Sequence, residues 1–551
     1  MSRLRKALSL VALHASRQGT PRGQRTRACT EPPCTRTGRS HRSPIRLITG
    51  WDAQGTLGGT PEMHVGGKSD RSVVPVTPPN NAAGAVAEAD EERERAKGNT
   101  ASKTRPGHSA GPGASSALER VREVARREKG ARFTALLHHV DRARLRAAYW
   151  AIRPQAAPGV DKVTWAEYGQ DLEANLQDLH VRVQQGRYRA KPSRRVYIPK
   201  ADGRLRPLGI ASLEDKIVQR ALVEVLNAVY EVDFRGFSYG FRPGRKPHDA
   251  LDALTVGATR KKVNWVLDAD IRDFFNQLDR AWLRRFLEHR IADKRVLRLI
   301  GKWLTAGVIE GGEWTECDEG SPQGASVSPL LANVYLHYVF DLWADYWRHT
   351  RAHGDVIIVR FADDFIVGFE HEKDARRFLS DLHERFAGFG LQLHPDKTRL
   401  IEFGRSAARN RAARGQGKPE TFDFLGFTHI CARGKKGRFW VKRITIVKRM
   451  RAKLRQVKDQ LKRRRHQPVS EQGAWLRSVV QGHLVYYAVP GNTDAVQAFR
   501  SQVARHWYMA LRRRSQRTRV NWARMGRLAK RWLPLAHAKH PFPEVRFAAR
   551  T

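Results

Sequence analysis

The run from Val356 to Phe369, VIIVRFADDFIVGF, sets two β-rich segments on either side of Ala362, Asp363 and Asp364. Adjacent carboxylates at a hairpin tip repel each other, and neither is stable when buried without a partner. A divalent cation resolves that conflict. Asp is also ordinary turn chemistry, and for an isolated Asp-Asp that plainer reading carries more weight. A second acidic segment shifts the balance. In VNWVLDADIRDFF, alternation along a strand puts Asp268 and Asp270 on one face and Trp265, Leu267 and Ile271 on the other. Phosphoryl transfer by paired metal ions needs carboxylates from separate elements to clamp cations roughly 3.5–4 Å apart, one activating the attacking hydroxyl and one holding the phosphates. One acid on that strand, facing the acidic hairpin, supplies such a set.

Holding these acids in place takes a sheet, and the neighbouring patterns supply its elements. RRVYIPKADGRLRPLGI alternates around Ala201-Asp202-Gly203 and predicts a hairpin, with Lys200 and Arg206 at its two ends. Helix follows in SLEDKIVQRALVEVLNAVYEVDF. A strand at Val263 to Ile271, helices to about Leu304, a long helix from Ser328 and another at Glu372 to Phe389 complete the order. The strict βαβ rhythm of a parallel fold is missing, so the pattern predicts an α+β protein, an antiparallel sheet with helices on one side. Amphipathic helices are expected from near Ser116, broken at Gly130 and ended by Pro154.

Charge narrows the partners. Lys and Arg total 101 against 55 Asp and Glu, a net +46 over 551 residues, and a field of that sign recruits polyanions, nucleic acid first. Residues 433–551 hold 31 of the cations and only 4 acids. Their periodic stretches, interleaved with Trp475, Tyr486, Tyr487, Trp507, Tyr508, Trp522 and Trp532, predict a helical bundle whose aromatics are mostly core. A bundle with so few acids repels itself unless an anionic ligand lies against it. No run reaches the ~18 apolar residues of a spanning helix, and no membrane partner is expected. The four cysteines are too scattered for a disulfide framework, which fits a reducing compartment. Residues 1–116 are basic, rich in Ser, Thr and Pro, and poor in core formers, and read as a disordered extension.

Seven blocks in one order carry a resemblance: RRVYIPKADGRLRPLGIASLEDKIVQRAL, FSYGFRPGRKPHDAL, WVLDADIRDFF, GSPQGASVSPLLANVYL, RFADDFIVGF, LHPDKTRLIEFG and FDFLGF. In order and spacing the chain resembles the bacterial group II intron reverse transcriptases from near Ala117 to its end. GHLVYYAV and HPFPEVRFAA look like the thumb or maturase domain of that family, and the resemblance carries no expectation of an HNH-type endonuclease module, which some members of the family have.

The resemblance implies a right-hand polymerase: N-terminal helices and fingers over 117–262, a palm with the catalytic acids over 263–432, and an all-helical basic thumb or maturase domain over 433–551. In the family the metal-binding acid precedes an apolar residue and lies five positions before an aromatic gate. Asp270, with Ile271 and Phe275, fits where Asp268, with Ala269 and Asp273, does not. Asp270, Asp363 and Asp364 are then the implied Mg²⁺ triad, holding two ions for which Mn²⁺ can substitute. Phe361 stands where many relatives have Tyr. Phe275 is implied to exclude the ribose 2′-hydroxyl; its plainer role is core packing. Lys200 and Arg206 are implied to grip the incoming triphosphate, Arg206 through its bidentate fork. Gln323 and Gly324 are implied to sit beside the nascent base pair, where glycine allows close backbone approach. Lys397 in HPDKT is implied to support the site by charge. Expected partners are intron RNA as template, a DNA primer or target, and dNTPs, in bacterial cytoplasm. The expected functions are RNA-directed DNA synthesis and maturase action. A splicing-only maturase with a decayed polymerase, or a domesticated enzyme of the retron or diversity-generating type, is the alternative.

Overall fold

The computed structural model describes residues 112–199, 205–310, 313–315, 324–434, 437–516 and 518–548. The expected N-terminal extension lies outside them except for residues 112–116, which open a helix. Helices start where a short polar side chain takes a backbone N–H that the first turn leaves unpaired. After α1 (Pro112–Arg127), Asp141 caps α2 (Arg142–Ala151) by accepting from Arg144 N. α3 (Leu172–Gln184) precedes a hairpin of β1 (Ser193–Pro199) and β2 (Leu205–Ile210). Ser212 then caps α4 (Leu213–Tyr230), and α5 (Pro247–Arg260) begins on proline. Asp279 and Asp293 cap α6 (Arg280–Glu288) and α7 (Lys294–Thr305).

The fold is mixed α/β, with small sheets set among helices. One sheet has the order β2-β1-β4-β5, adding β4 (Val308–Glu310) and β5 (Glu313–Thr315) to the first hairpin. A second, β6-β7-β3-β8, is antiparallel throughout and joins β3 (Trp265–Asp270), β6 (Val356–Phe361), β7 (Asp364–Phe369) and β8 (Arg399–Glu402). Helices α8 (Ser328–Leu336), α9 (Leu342–Thr350) and α10 (Glu372–Ala387) accompany it, α8 and α9 being joined by a π-turn over His337–Asp341. The third sheet, β11-β10-β9, consists of β9 (Phe422–Phe424), β10 (Phe427–Arg433) and β11 (Phe439–Thr445).

The segment from 433 is therefore not all-helical, because β11 precedes its helices. FWVKRIT alternates with Val441, Arg443 and Thr445 buried, and the inward arginine disguises the alternation. Beyond it run α11 (Val447–Arg463), α12 (Val469–Tyr487), α13 (Thr493–Arg512), α14 (Trp522–Trp532) and the short α15 (Pro543–Ala548). One hydrophobic core passes from Val263, just before β3, and from Val266 and Ile366 of the second sheet through Phe424 and Phe427 to Trp475, Val503 and Met525. Asp252 of α5, almost wholly buried, fastens the same junction by accepting from Arg443 Nη1 of β11 at 2.9 Å and from Arg546 of α15.

Edge strand β6 is held from outside by a buried guanidinium. Arg360 has no exposed surface; its Nε and Nη2 donate to Asp341 Oδ1 and Oδ2 at 2.7 and 2.6 Å, Nη1 to Asn333 Oδ1 and Ala362 O, and Nη2 also to Ser238 Oγ. Asn333 and Asp341 lie eight residues apart, a spacing that drifts around an α-helix. The π-turn absorbs one extra residue per turn, which returns Asp341 to the face of Asn333. Removing one partner of a buried ion pair strands the other, at about 3–5 kcal/mol. Asp341→Asn and Arg360→Met should each lower stability by roughly that amount in denaturant unfolding. Glu372→Gln, at the exposed Arg376–Glu372 pair, should barely move the midpoint.

Candidate active site

Asp270 ends β3 and Asp364 begins β7, and the two are register partners across the antiparallel pair. Because Phe361 pairs with Asp364, the hairpin turn consists of Ala362 and Asp363 alone. The three acids of the sequence pattern thus meet at one end of one sheet. A two-residue turn that matches strand twist needs a left-handed first residue, and Ala362 adopts φ 58° without being glycine. Its surroundings hold it there. Arg360 donates to its carbonyl at 2.9 Å, and Gly240 packs so closely that a Cβ would fall 2.3 Å from Ala362 N. Flanking residues complete the strap: Arg360 N donates to Phe237 O and Tyr239 N to Arg360 O, both at 2.8 Å, and Asn333 Nδ2 donates to Gly240 O.

Burial pushes the Asp363 carboxyl up to about 6; Asp270 adds to the push, while Arg206 and Lys397 oppose it. Asp364 is raised well above the usual carboxylate range, by burial first and then by Asp268, Asp363 and Asp270. Asp268, on the same face of β3, is also raised to about 6 by burial, against the pull of Arg399 at 3.2 Å. Such acids give up their protons at higher pH than free carboxylates, and a neighbouring cation eases that loss. Lys397 supplies one such charge, its ammonium bonded to Asp270 Oδ2. The loop that carries it is pinned where His394 N donates to Asp270 O at 2.8 Å. Among the described residues no three acidic, histidine or cysteine side chains stand at metal-ligating spacing.

The remaining candidates divide. Arg206 lies on β2, and its charge opposes the rise of Asp363. Lys200 and Gln323 lie outside the described residues. Gly324 is described, at φ 111°, and a Cβ there would fall 2.8 Å from Gly209 O. Its close approach is thus to the backbone of β2. Phe275 is half-buried in the turn Phe274–Gln277 directly after β3, while Phe274 takes the core position against Tyr335.

Two contributors escaped sequence reading. Arg360 precedes Phe361 in an otherwise apolar strand, and a lone arginine there was the available signal. Arg449, in the first turn of α11, pulls against the rise of Asp364 by its charge. Nothing in the spacing of its cationic run singled it out.

Residues 198–429 match the family described as reverse transcriptase (RNA-dependent DNA polymerase), a span that contains all nine candidate residues. The chain is similar to Protein YkfC of Escherichia coli, 33% identical over 303 residues that make up 47% of this chain and 78% of that protein. It is similar to the group II intron-encoded protein LtrA of Lactococcus lactis, 36% identical over 168 residues, 30% of this chain and 27% of that protein. An uncharacterized 91 kDa protein in the cob intron of Schizosaccharomyces pombe is 42% identical over 146 residues, 26% of this chain and 18% of that protein.

Asp363 holds its proton more tightly when folded than when unfolded, so the metal-free protein should lose stability as pH rises from the usual carboxylate range through about 6. Added Mg²⁺ should then raise the melting temperature more at about pH 8 than at about pH 5, and Asp363→Asn should erase most of the difference. Thermal melts with and without Mg²⁺ check this; equal increments at both pH values would contradict a cation site here.

Proposed function

Because the chain belongs to the reverse transcriptases, in their group II intron-encoded class, we propose that it copies RNA into DNA and assists the splicing of the intron RNA it binds. The observation that carries this reading is the pairing of Asp270 with Asp364 beside Asp363, ringed by Arg206, Lys397 and Arg449. Reverse transcriptases work with divalent metal ions. When bound, two Mg²⁺ ions, or Mn²⁺ in their place, would be held by Asp270, Asp363 and Asp364 and supply the charge that activates a primer 3′-hydroxyl and steadies the departing pyrophosphate.

Each residue of the site has a part in this scheme. Lys397 bonds Asp270 Oδ2 and would give up that contact to bound cations. Arg206, together with Lys200, takes the triphosphate oxygens, a guanidinium fork suiting them bidentately. Gln323 and Gly324 border the new base pair, Gly324 bringing its loop onto β2. Phe275 fills the space of a ribose 2′-hydroxyl. Arg360 keeps Ala362 in its left-handed turn and thereby sets the height of Asp363. Residues 117–262 serve as N-terminal helices and fingers, 263–432 as palm, and 433–551 as the basic thumb or maturase segment. The partners are nucleic acids: intron RNA as template, a DNA primer or target, and dNTPs, met in bacterial cytoplasm. Among the described residues no helix is long and apolar enough to cross a membrane.

Asp363→Asn and Asp270→Asn should each abolish primer extension on an RNA template while leaving RNA affinity near wild type, since the basic surface is untouched. Extension retained by either at saturating Mg²⁺ would sink the assignment. Phe275→Ala should admit ribonucleotides, read as a higher ratio of ribo- to deoxynucleotide incorporation. An unchanged ratio would make Phe275 a packing residue only.

A further inference from the structure

Away from the acids, the C-terminal helices enclose a cavity of about 450 Å³ between the start of α12, the end of α13 and α14. Leu511, Val520, Leu528 and Trp532 form the apolar part of its wall, and Ser470, Thr518, Arg514, Arg524 and Arg531 form the polar part. Among the described residues no carboxylate pairs with any of these three arginines. Arg514 donates to His466 O at 3.0 Å, and Arg531 lies over the Trp532 ring at 5.4 Å. Trp532 is fixed as a wall, for its ring is seated so tightly on Gly473 that a Cβ there would come within 2.4 Å. Arg531 and Trp532 also border a second hollow of about 420 Å³, which Arg477 and Lys530 help to line.

Three uncompensated guanidiniums around an apolar recess repel one another, and an anion that also brings a flat apolar body relieves both the charge and the exposed surface. We propose that this cavity receives an unpaired nucleotide of the bound RNA, its base against the Leu528 and Trp532 wall and its phosphates on Arg514, Arg524 and Arg531. A duplex keeps its bases stacked and offers such a recess only backbone, whereas a bulged or looped nucleotide can leave its stack and enter. The adjoining hollow, with its own cations, continues the path for the next nucleotide. The surrounding charge, 31 Lys and Arg against 4 Asp and Glu in residues 433–551, favours a polyanion over a small acid as the occupant. This deepens the RNA-binding reading above and rests on it.

The test compares two RNA hairpins binding the full chain: one perfectly paired, the other identical but carrying a single unpaired 2-aminopurine. Wild type should bind the second at least about tenfold more tightly, with a change in 2-aminopurine fluorescence on binding. Leu528→Trp, which fills the recess, should remove that preference and the fluorescence change while leaving affinity for the paired hairpin unaltered. Arg524→Gln, an exposed change that spares the wall, should reduce the preference if Leu528→Trp misfolds. Equal binding of both hairpins by wild type, or a preference that survives both substitutions, would overturn the cavity assignment. Failure to bind either hairpin at low salt would overturn it too, by removing the RNA-binding reading beneath it, and the paired control separates the two cases.

Discussion

A guanidinium with no exposed surface is an expensive thing to fold around, and Arg360 repays that cost by fixing a turn no backbone would choose alone. Five of its hydrogen bonds go to four residues, joining a π-turn, an edge strand and the hairpin tip. The charge is neutralised by Asp341, so the arrangement tolerates no partial disassembly. The left-handed Ala362, the level of Asp363 and the packing of Gly240 all follow from where that guanidinium sits. Preorganisation of the acids is thus bought in the layer beneath them, remote from solvent and from substrate.

Above that layer the balance of charge is reversed. Three acids share one sheet end with Asp268 close by, and burial raises three of the four carboxyls. Cations reach them from three separate stretches of chain: Arg206 from the first hairpin, Lys397 from the loop after α10, and Arg449 from α11. The site is therefore not the property of one sheet.

Much of this was legible in the sequence for a physical reason. Strand alternation singled out Asp268 and Asp270, and the Asp-Asp hairpin was visible because its flanks are apolar on both sides. The α+β character followed from the same patterns. What could not be read were features in which a polar residue takes an inward position. Arg443 hides β11 inside a stretch that looks like basic surface, and its partner Asp252 lies far away in sequence. Arg360 reads as an interruption until Asp341 is known to face it. Gly324 lies so close to β2 that a Cβ would meet Gly209 O, a neighbour that no spacing in the sequence announces. In each case the deciding partner is remote along the chain, and periodicity carries no information about it.

The core that runs unbroken from β3 to α14 makes the catalytic sheet and the basic helices one thermodynamic body. Anything that binds the helices in their folded form then draws the whole equilibrium toward the native state, the acids included, by mass action. A polyanion held tens of residues from the chemistry would act as ballast for it. On the proposed reading, the protein would be sturdiest with nucleic acid bound, and an unloaded copy, left with its self-repelling basic surface, would be the form more open to proteolysis. In that sense nucleic acid acts as a structural component of the enzyme as well as its substrate.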